Sequence, residues 1–274
     1  MLKNYTVIKY INTMLEIMNA DSVWASVVDE ATKAASNEPA MAELLDEIFL
    51  SRSNLFDCVC YRISAKLESR TRRDIGIINT FTEAFATDKS IRENVVKDIV
   101  AIRHRDPACQ FFMNPILYFK GFHAITTHRV AHWLWNNGKV HTAYYLQSLM
   151  SEVFAVDIHP AAKFGGGILL DHATSFVAGE TTVVEDNVSI LHEVTLGGTG
   201  NEIGDRHPKI KSGVLIGAGA KLIGNITIGN CAKIGAGSVV LNDVPPHTTV
   251  AGVPAKPIAS AYQDDPASCM DQNF

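Results

Sequence analysis

Asp171-His172 is the point in this sequence where residue types most readily suggest chemistry. An imidazole supported by a carboxylate can take the proton of a hydroxyl and is stabilised once it carries it. A further carboxylate, Asp157, stands fifteen residues upstream. Counted in turns of eighteen residues, the period argued below, His172 falls three residues short of a full turn beyond Asp157, which sets the two on adjacent layers within contact range. Charge also gathers at Asp205-Arg206-His207-Pro208-Lys209, at the end of a glycine-rich run that begins at Gly197. Plainer readings stand beside these. A single histidine is more often a hydrogen-bonded structural group than a base, Asp157 suits a corner, and a glycine-rich charged run is usually a solvated loop.

Other chemistries are excluded or left without support. The spacing from 197 to 204 fits neither a P-loop nor a dinucleotide fingerprint, and no strand-to-helix junction surrounds it. The five cysteines, Cys58, Cys60, Cys109, Cys231 and Cys269, contain no Cys-x-x-Cys pair and read as reduced thiols of a cytoplasmic protein, with Cys231 as core filling. No Cys or Ser stands beside the Asp157-His172 pair, so direct transfer is preferred to a covalent enzyme intermediate. No metal is expected: a zinc site would need three converging histidines, for which His159, His172 and His192 supply only the number. His104, His123, His128, His132 and His141 read as structural or surface groups. With 24 Lys and Arg against 29 Asp and Glu, the net charge of −5 offers no basic field for nucleic acid or anionic lipid. The apolar stretch 2–18 carries Lys3, Lys9 and Glu16 and is too short and polar to span a membrane, and no clear cleavage site follows it.

Two kinds of element must position these groups. From 21 to about 147 the spacing is helical, as in Leu44, Leu45, Ile48 and Phe49 or Val95, Val96, Ile99 and Ile102, with Asn137-Gly138 ending the helix that holds Trp133 and Trp135. After Val153 apolar anchors return at intervals of six: Ile158, Phe164 and Leu170; Ala178, Val184, Ile190 and Leu196; then Ile210, Ile216, Leu222, Ile228, Ile234 and Val240. Four residues after the anchors comes a smaller or β-branched side chain, among them Ala162, Ile168, Thr174, Thr182, Val188, Val194, Val214 and Ala220. A period of six is what a three-sided coil requires, with Gly, Asn and Asp at corners that need positive φ. The expected class is α+β, an all-α domain followed by a left-handed parallel β-helix. The divisions are an extension at 1–20, a helical domain at 21–153, the β-helix at 154–256 and a tail at 257–274. The repeat breaks after Leu170 and after Leu196, and breaks in a repeat become loops that carry function.

Several segments together resemble one family. Val156-Asp157-Ile158-His159-Pro160-Ala161, Asp171-His172-Ala173-Thr174, Val194-Thr195-Leu196-Gly197-Gly198-Thr199-Gly200 and Gly204-Asp205-Arg206-His207-Pro208-Lys209 resemble serine O-acetyltransferase, a hexapeptide-repeat acyltransferase. So do Arg105-Asp106-Pro107-Ala108 and Leu117-Tyr118-Phe119-Lys120-Gly121-Phe122-His123-Ala124. The resemblance runs from about Trp24 to Lys256. It implies acetyl transfer from acetyl-CoA to the hydroxyl of L-serine, giving O-acetyl-L-serine and CoA, the first step of cysteine biosynthesis from serine. It further implies His172 as general base paired with Asp157, Asp106 and Asp171 on the amino acid's ammonium group, and Arg206 and His207 on its carboxylate. Backbone near Gly198, Thr199, Ala218 and Ala236 would hold the cofactor, and L-cysteine would inhibit by competing at the serine site.

The same resemblance implies a homo-oligomer, a trimer with sites between subunits, paired into a hexamer through the helical domains. Three departures stand out, the first being that residues 1–20 have no recognised counterpart in the family. Ser175 occupies a position where the family usually has glycine, and relatives that dock O-acetylserine sulfhydrylase end in a longer tail closing on isoleucine, where this chain reads Asp271-Gln272-Asn273-Phe274, which counts against that partner. The competing readings are a hexapeptide acetyltransferase for a sugar or antibiotic hydroxyl, and a β-helix scaffold or carbonic-anhydrase-like protein without transferase chemistry.

Overall fold

In the computed structural model, residues 18–69, 76–201, 203–260 and 265–272 are described. Most of the extension at 1–20, together with Glu202, Asn273 and Phe274, lies outside them. The helices run α1 Ala20–Asn37, α2 Ala42–Leu45, α3 Leu55–Glu68, α4 Ile77–Thr87, α5 Lys89–Arg105, α6 Met113–Leu117, α7 Lys120–Asn136 and α8 Val140–Phe154. Their starts follow local chemistry. Asn19 and Ser22 form a capping box for α1, Asn54 accepts two backbone N–H groups at the head of α3, and Asp88 caps α5 through Ser90 N. The run at 44–49 is not one regular helix. A π-helical turn over Asp46–Leu50 widens it, and the consecutive Ile48 and Phe49 both enter the core. Gly138, at φ +74°, follows the end of α7 as its position in the sequence suggests.

From Val156 the chain winds into a three-faced parallel β-helix. The first face stacks β1 Val156–Ile158, β4 Phe176–Ala178, β7 Thr195–Gly197, β10 Lys221–Ile223 and β13 Val239–Val240. The second stacks β2 Lys163–Phe164, β5 Val183–Val184, β8 Lys209–Ile210 and β11 Thr227–Ile228. The third stacks β3 Leu169–Leu170, β6 Ser189–Ile190, β9 Leu215–Ile216, β12 Lys233–Ile234 and β14 Thr248–Gly252, with β15 Ala255–Ser260 added antiparallel; a short helix, α9 Pro266–Cys269, follows. The six-residue anchors point inward because each layer places its large side chain over the one below, and all are buried except Phe164, which is half-buried between the rings of His128 and Phe176.

Three expectations need correction. Thr174 is exposed, and Phe176 fills the interior position instead, because the first turn holds two extra residues at 171–175. That turn pairs Asp157 with Val177, a step of twenty, whereas Val177 pairs with Thr195 eighteen further on, so the uniform count misplaces His172. Cys231 is a corner residue at φ +54° and only partly buried.

The helical half is tied to the first turn by buried charge. Asp98 Oδ2 accepts from Arg129 Nη2 at 2.7 Å, Asp98 Oδ1 accepts from Ile168 N at 2.8 Å, and Arg129 also donates to the carbonyls of Phe164 and Gly165. Arg105, at the end of α5, donates to Gly167 O, Ser189 Oγ and Asn187 Oδ1. These contacts satisfy turn carbonyls that lie at the end of the stack against protein rather than water.

Candidate active site

The edge joining the third face to the first carries His172. After β3 the chain passes through 171–175 with left-handed φ at His172 (+57°), Ala173 (+61°) and Ser175 (+61°), a conformation that costs a residue with a Cβ about 1 kcal/mol. Turn bonds hold it: Ala173 N donates to Asp171 O at 2.6 Å and Ser175 N to Ala155 O at 2.8 Å. From the helical side, Gly121 in α7 lies so close that a Cβ there would stand 1.9 Å from Leu170 O, and Lys120 Nζ donates to Thr174 Oγ1. The His172 ring is thereby presented to solvent, 72% exposed, with Nε2 3.7 Å from Asp171 Oδ2. His192, one layer on, places its ring 5.7 Å away.

Asp106 belongs to the same edge. It follows α5 directly, where Arg105 is anchored, and its Oδ1 accepts from Ala108 N at 2.8 Å. A carboxylate at a helix C-terminus opposes the helix dipole, so this placement is not made for the stability of α5. Desolvation raises the Asp171 carboxyl above its ordinary range; His172 works against that shift, and the Asp106 charge adds to it. Two carboxylates close enough to feel each other suit a site for a cationic group.

The edge joining the first face to the second carries the other charges. Arg206 Nη2 donates to Glu180 Oε2 at 2.7 Å, and Lys209 is paired with Asp205. The backbone N–H groups of Arg206 and His207 both donate to Thr181 Oγ1 at 3.0 Å, and Thr181 N in turn donates to His207 Nδ1 at 3.2 Å. His207 therefore carries its own proton on Nε2 and presents a donor there. Desolvation, and then the charges of Arg206 and Lys209, lower its pKa, so the ring stays neutral near pH 7. Gly179 makes the room: a Cβ would stand 1.9 Å from His207 Nε2. The segment from 203 to 209 is thus pinned at its end to Thr181, unlike a freely solvated loop.

Asp157 sides with this second group. It faces outward from the middle of β1, its Oδ1 accepts from Gln147 Nε2 at 2.7 Å, and its charge acts, after desolvation and Glu180, on His159. The expected contact of Asp157 with His172 is absent within the chain, since the only carboxylate within 4.0 Å of His172 among the described residues is Asp171. A three-residue strand, roughly 10 Å at about 3.3 Å per residue, separates the two edges. The cofactor candidates divide in the same way. Ala218 and Ala236 stack on the His172 edge, where Gly237 N donates to Ala218 O and Gly219 N to His192 O. Gly198 and Thr199 lie on the Arg206 edge, with a Cβ at Gly198 only 3.2 Å from His207 Nε2. His159 packs instead against Trp135 and Tyr144, so His159, His172 and His192 do not converge, and among the described residues no group of three His, Cys, Asp or Glu side chains is arranged to hold a metal.

Thr181, Gln147 and the anchoring bonds of Arg105 escape sequence reasoning. Thr181 reaches residues 25 and 26 positions away, and no period or motif links them.

Both halves of the chain match known families. Residues 23–127 fit the model described as serine acetyltransferase, N-terminal, and residues 207–242 the bacterial transferase hexapeptide repeat. A curated serine acetyltransferase of Escherichia coli (strain K12) is 51% identical over 252 residues, 92% of each chain. A serine acetyltransferase structure in complex with cysteine superposes with a TM-score of 0.89 at 49% identity, covering 92% of this chain and 98% of that one. The serine acetyltransferase of Brucella abortus strain S19, solved with coenzyme A, gives 0.85 at 50% identity, covering 90% and 98%. Likeness of this degree over nearly the whole length, on a helical half joined to a hexapeptide β-helix, has one reading: the chain belongs to the serine acetyltransferases.

Proposed function

We propose that acetyl transfer from acetyl-CoA to the hydroxyl of L-serine runs in this protein with His172 as general base, in a site closed between two copies of the chain. Asp106, Asp171 and His172 come from one copy, and Asp157, Arg206 and His207 from the next. The observation that carries this reading is the division of one set of groups between opposite edges of the first face. A chain that needs both edges within one substrate's reach must meet a second chain, and rotation about a three-fold axis brings unlike edges together.

In the closed site, the Asp106 and Asp171 carboxylates hold the serine ammonium, while the Arg206 guanidinium and the His207 Nε2–H hold its carboxylate. The hydroxyl is then directed at His172. As the serine oxygen attacks the thioester carbonyl, His172 takes the hydroxyl proton, and Asp157 stabilises the imidazolium that forms. Collapse of the tetrahedral species breaks the C–S bond, and the proton passes from His172 to the departing sulfur. General-base help of this kind contributes roughly 10² to 10⁴ in rate. Ala218 and Ala236, stacked beyond His172 and His192 on the same edge, supply one wall for the pantetheine arm, and Gly198 and Thr199 of the neighbouring copy supply the other. L-cysteine offers the same ammonium and carboxylate, so it competes for the serine position. We place the reaction in the cytoplasm, a reading supported by the thiols of Cys58, Cys60, Cys109 and Cys269, which form no disulfide.

The test is complementation between two inactive variants, followed by thiol release from acetyl-CoA with L-serine. His172→Ala and Arg206→Ala assembled separately should each lose at least about 10² in kcat/KM. Assembled together by co-expression, they should recover about a quarter of wild-type activity, because a random mixture builds that share of sites with both good edges. No recovery in well-assembled mixed oligomers would place the whole site within one chain.

A further inference from the structure

Helix α8 lays two polar side chains onto the outer surface of β1. Tyr144 and Gln147 are three apart on one helix face, and Asp157 and His159 are two apart on the outward side of the chain at β1. Tyr144 Oη meets His159 Nε2 at 3.4 Å, and Gln147 Nε2 donates to Asp157 Oδ1 at 2.7 Å. The spacings match because three residues of helix advance about 4.5 Å and two of strand about 6.6 Å, a difference that side chains absorb. Ala143, Leu146 and Met150, next to Gln147 on the helix surface, are buried, and Val156 and Ile158 point into the coil, so both backbones are packed in place.

A carboxylate at neutral pH only accepts, so the Gln147 amide must turn its nitrogen toward Asp157. With Oδ1 engaged, the rotamer of Asp157 is set, and Oδ2 has no protein partner among the described residues. Other neighbours of the pair are His159, whose ring is held by Trp135 and Tyr144, and Glu180, which is occupied by Arg206.

We propose that Gln147 is a positioning residue for the reaction, fixing the Asp157 carboxylate so that its free oxygen faces His172 of the neighbouring copy. The inference rests on the shared-site reading above and adds to it a group in the helical half that touches neither substrate. Gln147 acts only through Asp157, so its removal is felt in the chemical step rather than in binding.

Gln147→Leu keeps the volume and removes the donor. It should lower kcat about 10-fold, the scale of a slightly misplaced catalytic group, with KM for L-serine and for acetyl-CoA each within twofold of wild type. In an Asp157→Asn background the same substitution should change kcat by less than twofold, since the group it orients is already disabled. Gln147→Glu, which turns one carboxylate on another, should cost at least as much as Gln147→Leu, and Gln147→Met serves if the leucine variant fails to assemble. Wild-type kcat in the Leu or Met variant, or the same 10-fold loss in both backgrounds, overturns the proposal, the latter by showing a structural role. If Asp157→Asn alone keeps wild-type kcat, the assigned role of Asp157 falls, and this inference with it; loss in Asp157→Asn without loss in Gln147→Leu removes only the inference.

Discussion

The two halves of the chain use polar groups in opposite ways. In the β-helix the interior is Ile, Val, Leu and Ala with an occasional hydroxyl such as Thr182 or Ser238, and every turn pairs its backbone with the next. In the helical half, Asp98, Arg105, Arg129, His123 and His128 are all buried. A stack of equivalent turns fixes itself, because each layer is a template for its neighbour. A bundle laid against the end of that stack has no such template, and directional bonds from Asp98, Arg129 and Arg105 set its position.

The contrast can be broken most forcefully at Asp98. Asp98→Ala leaves the Arg129 guanidinium, 5% exposed, without its counter-charge and should cost about 3–5 kcal/mol in urea unfolding. A loss below about 1 kcal/mol would mean that the buried pair is dispensable and the contrast false. Acid comes next. Burial pushes His123 down to about 3, while in the unfolded chain it titrates near 6.5. Below about 6.5 the unfolded state therefore takes up a proton that the native state refuses, and stability falls as pH drops, by about 1.4 kcal/mol per unit from this residue. His128, also pushed down by burial, acts in the same direction. Unfolding free energies at pH 7 and pH 5, from urea titrations followed by the fluorescence of Trp24, Trp133 and Trp135, should differ by about 2 kcal/mol or more, and equal values would contradict the burial of a neutral ring. The smallest effect is expected in the stack: Ile216→Val, one methyl lost from a fully packed layer, should cost about 1 kcal/mol and leave the pH dependence unchanged.

The same contrast governs what was legible in the sequence. Anchors such as Ile190, Ile216 and Ile234 announce the coil because one steric demand recurs every six residues, and the two breaks in that recurrence mark the segments that carry His172 and Arg206. Counting fails in two ways: two extra residues at 171–175 put Phe176 where Thr174 was expected, and an offset of three residues is enough to set His172 on an edge while Asp157 sits on the strand. The ties of the helical half leave no such trace. Arg129 and Asp98 are 31 residues apart, Arg105 and Asn187 82 apart, and each contact occurs once. Gln147 leaves no trace for the same reason, since its partner Asp157 lies across the junction between the two halves.

Gly121 gives the junction its mechanical character. With a carbonyl so near that even one methyl group would collide with it, α7 acts as a backstop for the segment bearing His172. Backbone meets backbone there, with no side chain between helix and segment to absorb a shift. Any residue larger than glycine at position 121 would have to displace either the helix or the turn that carries His172.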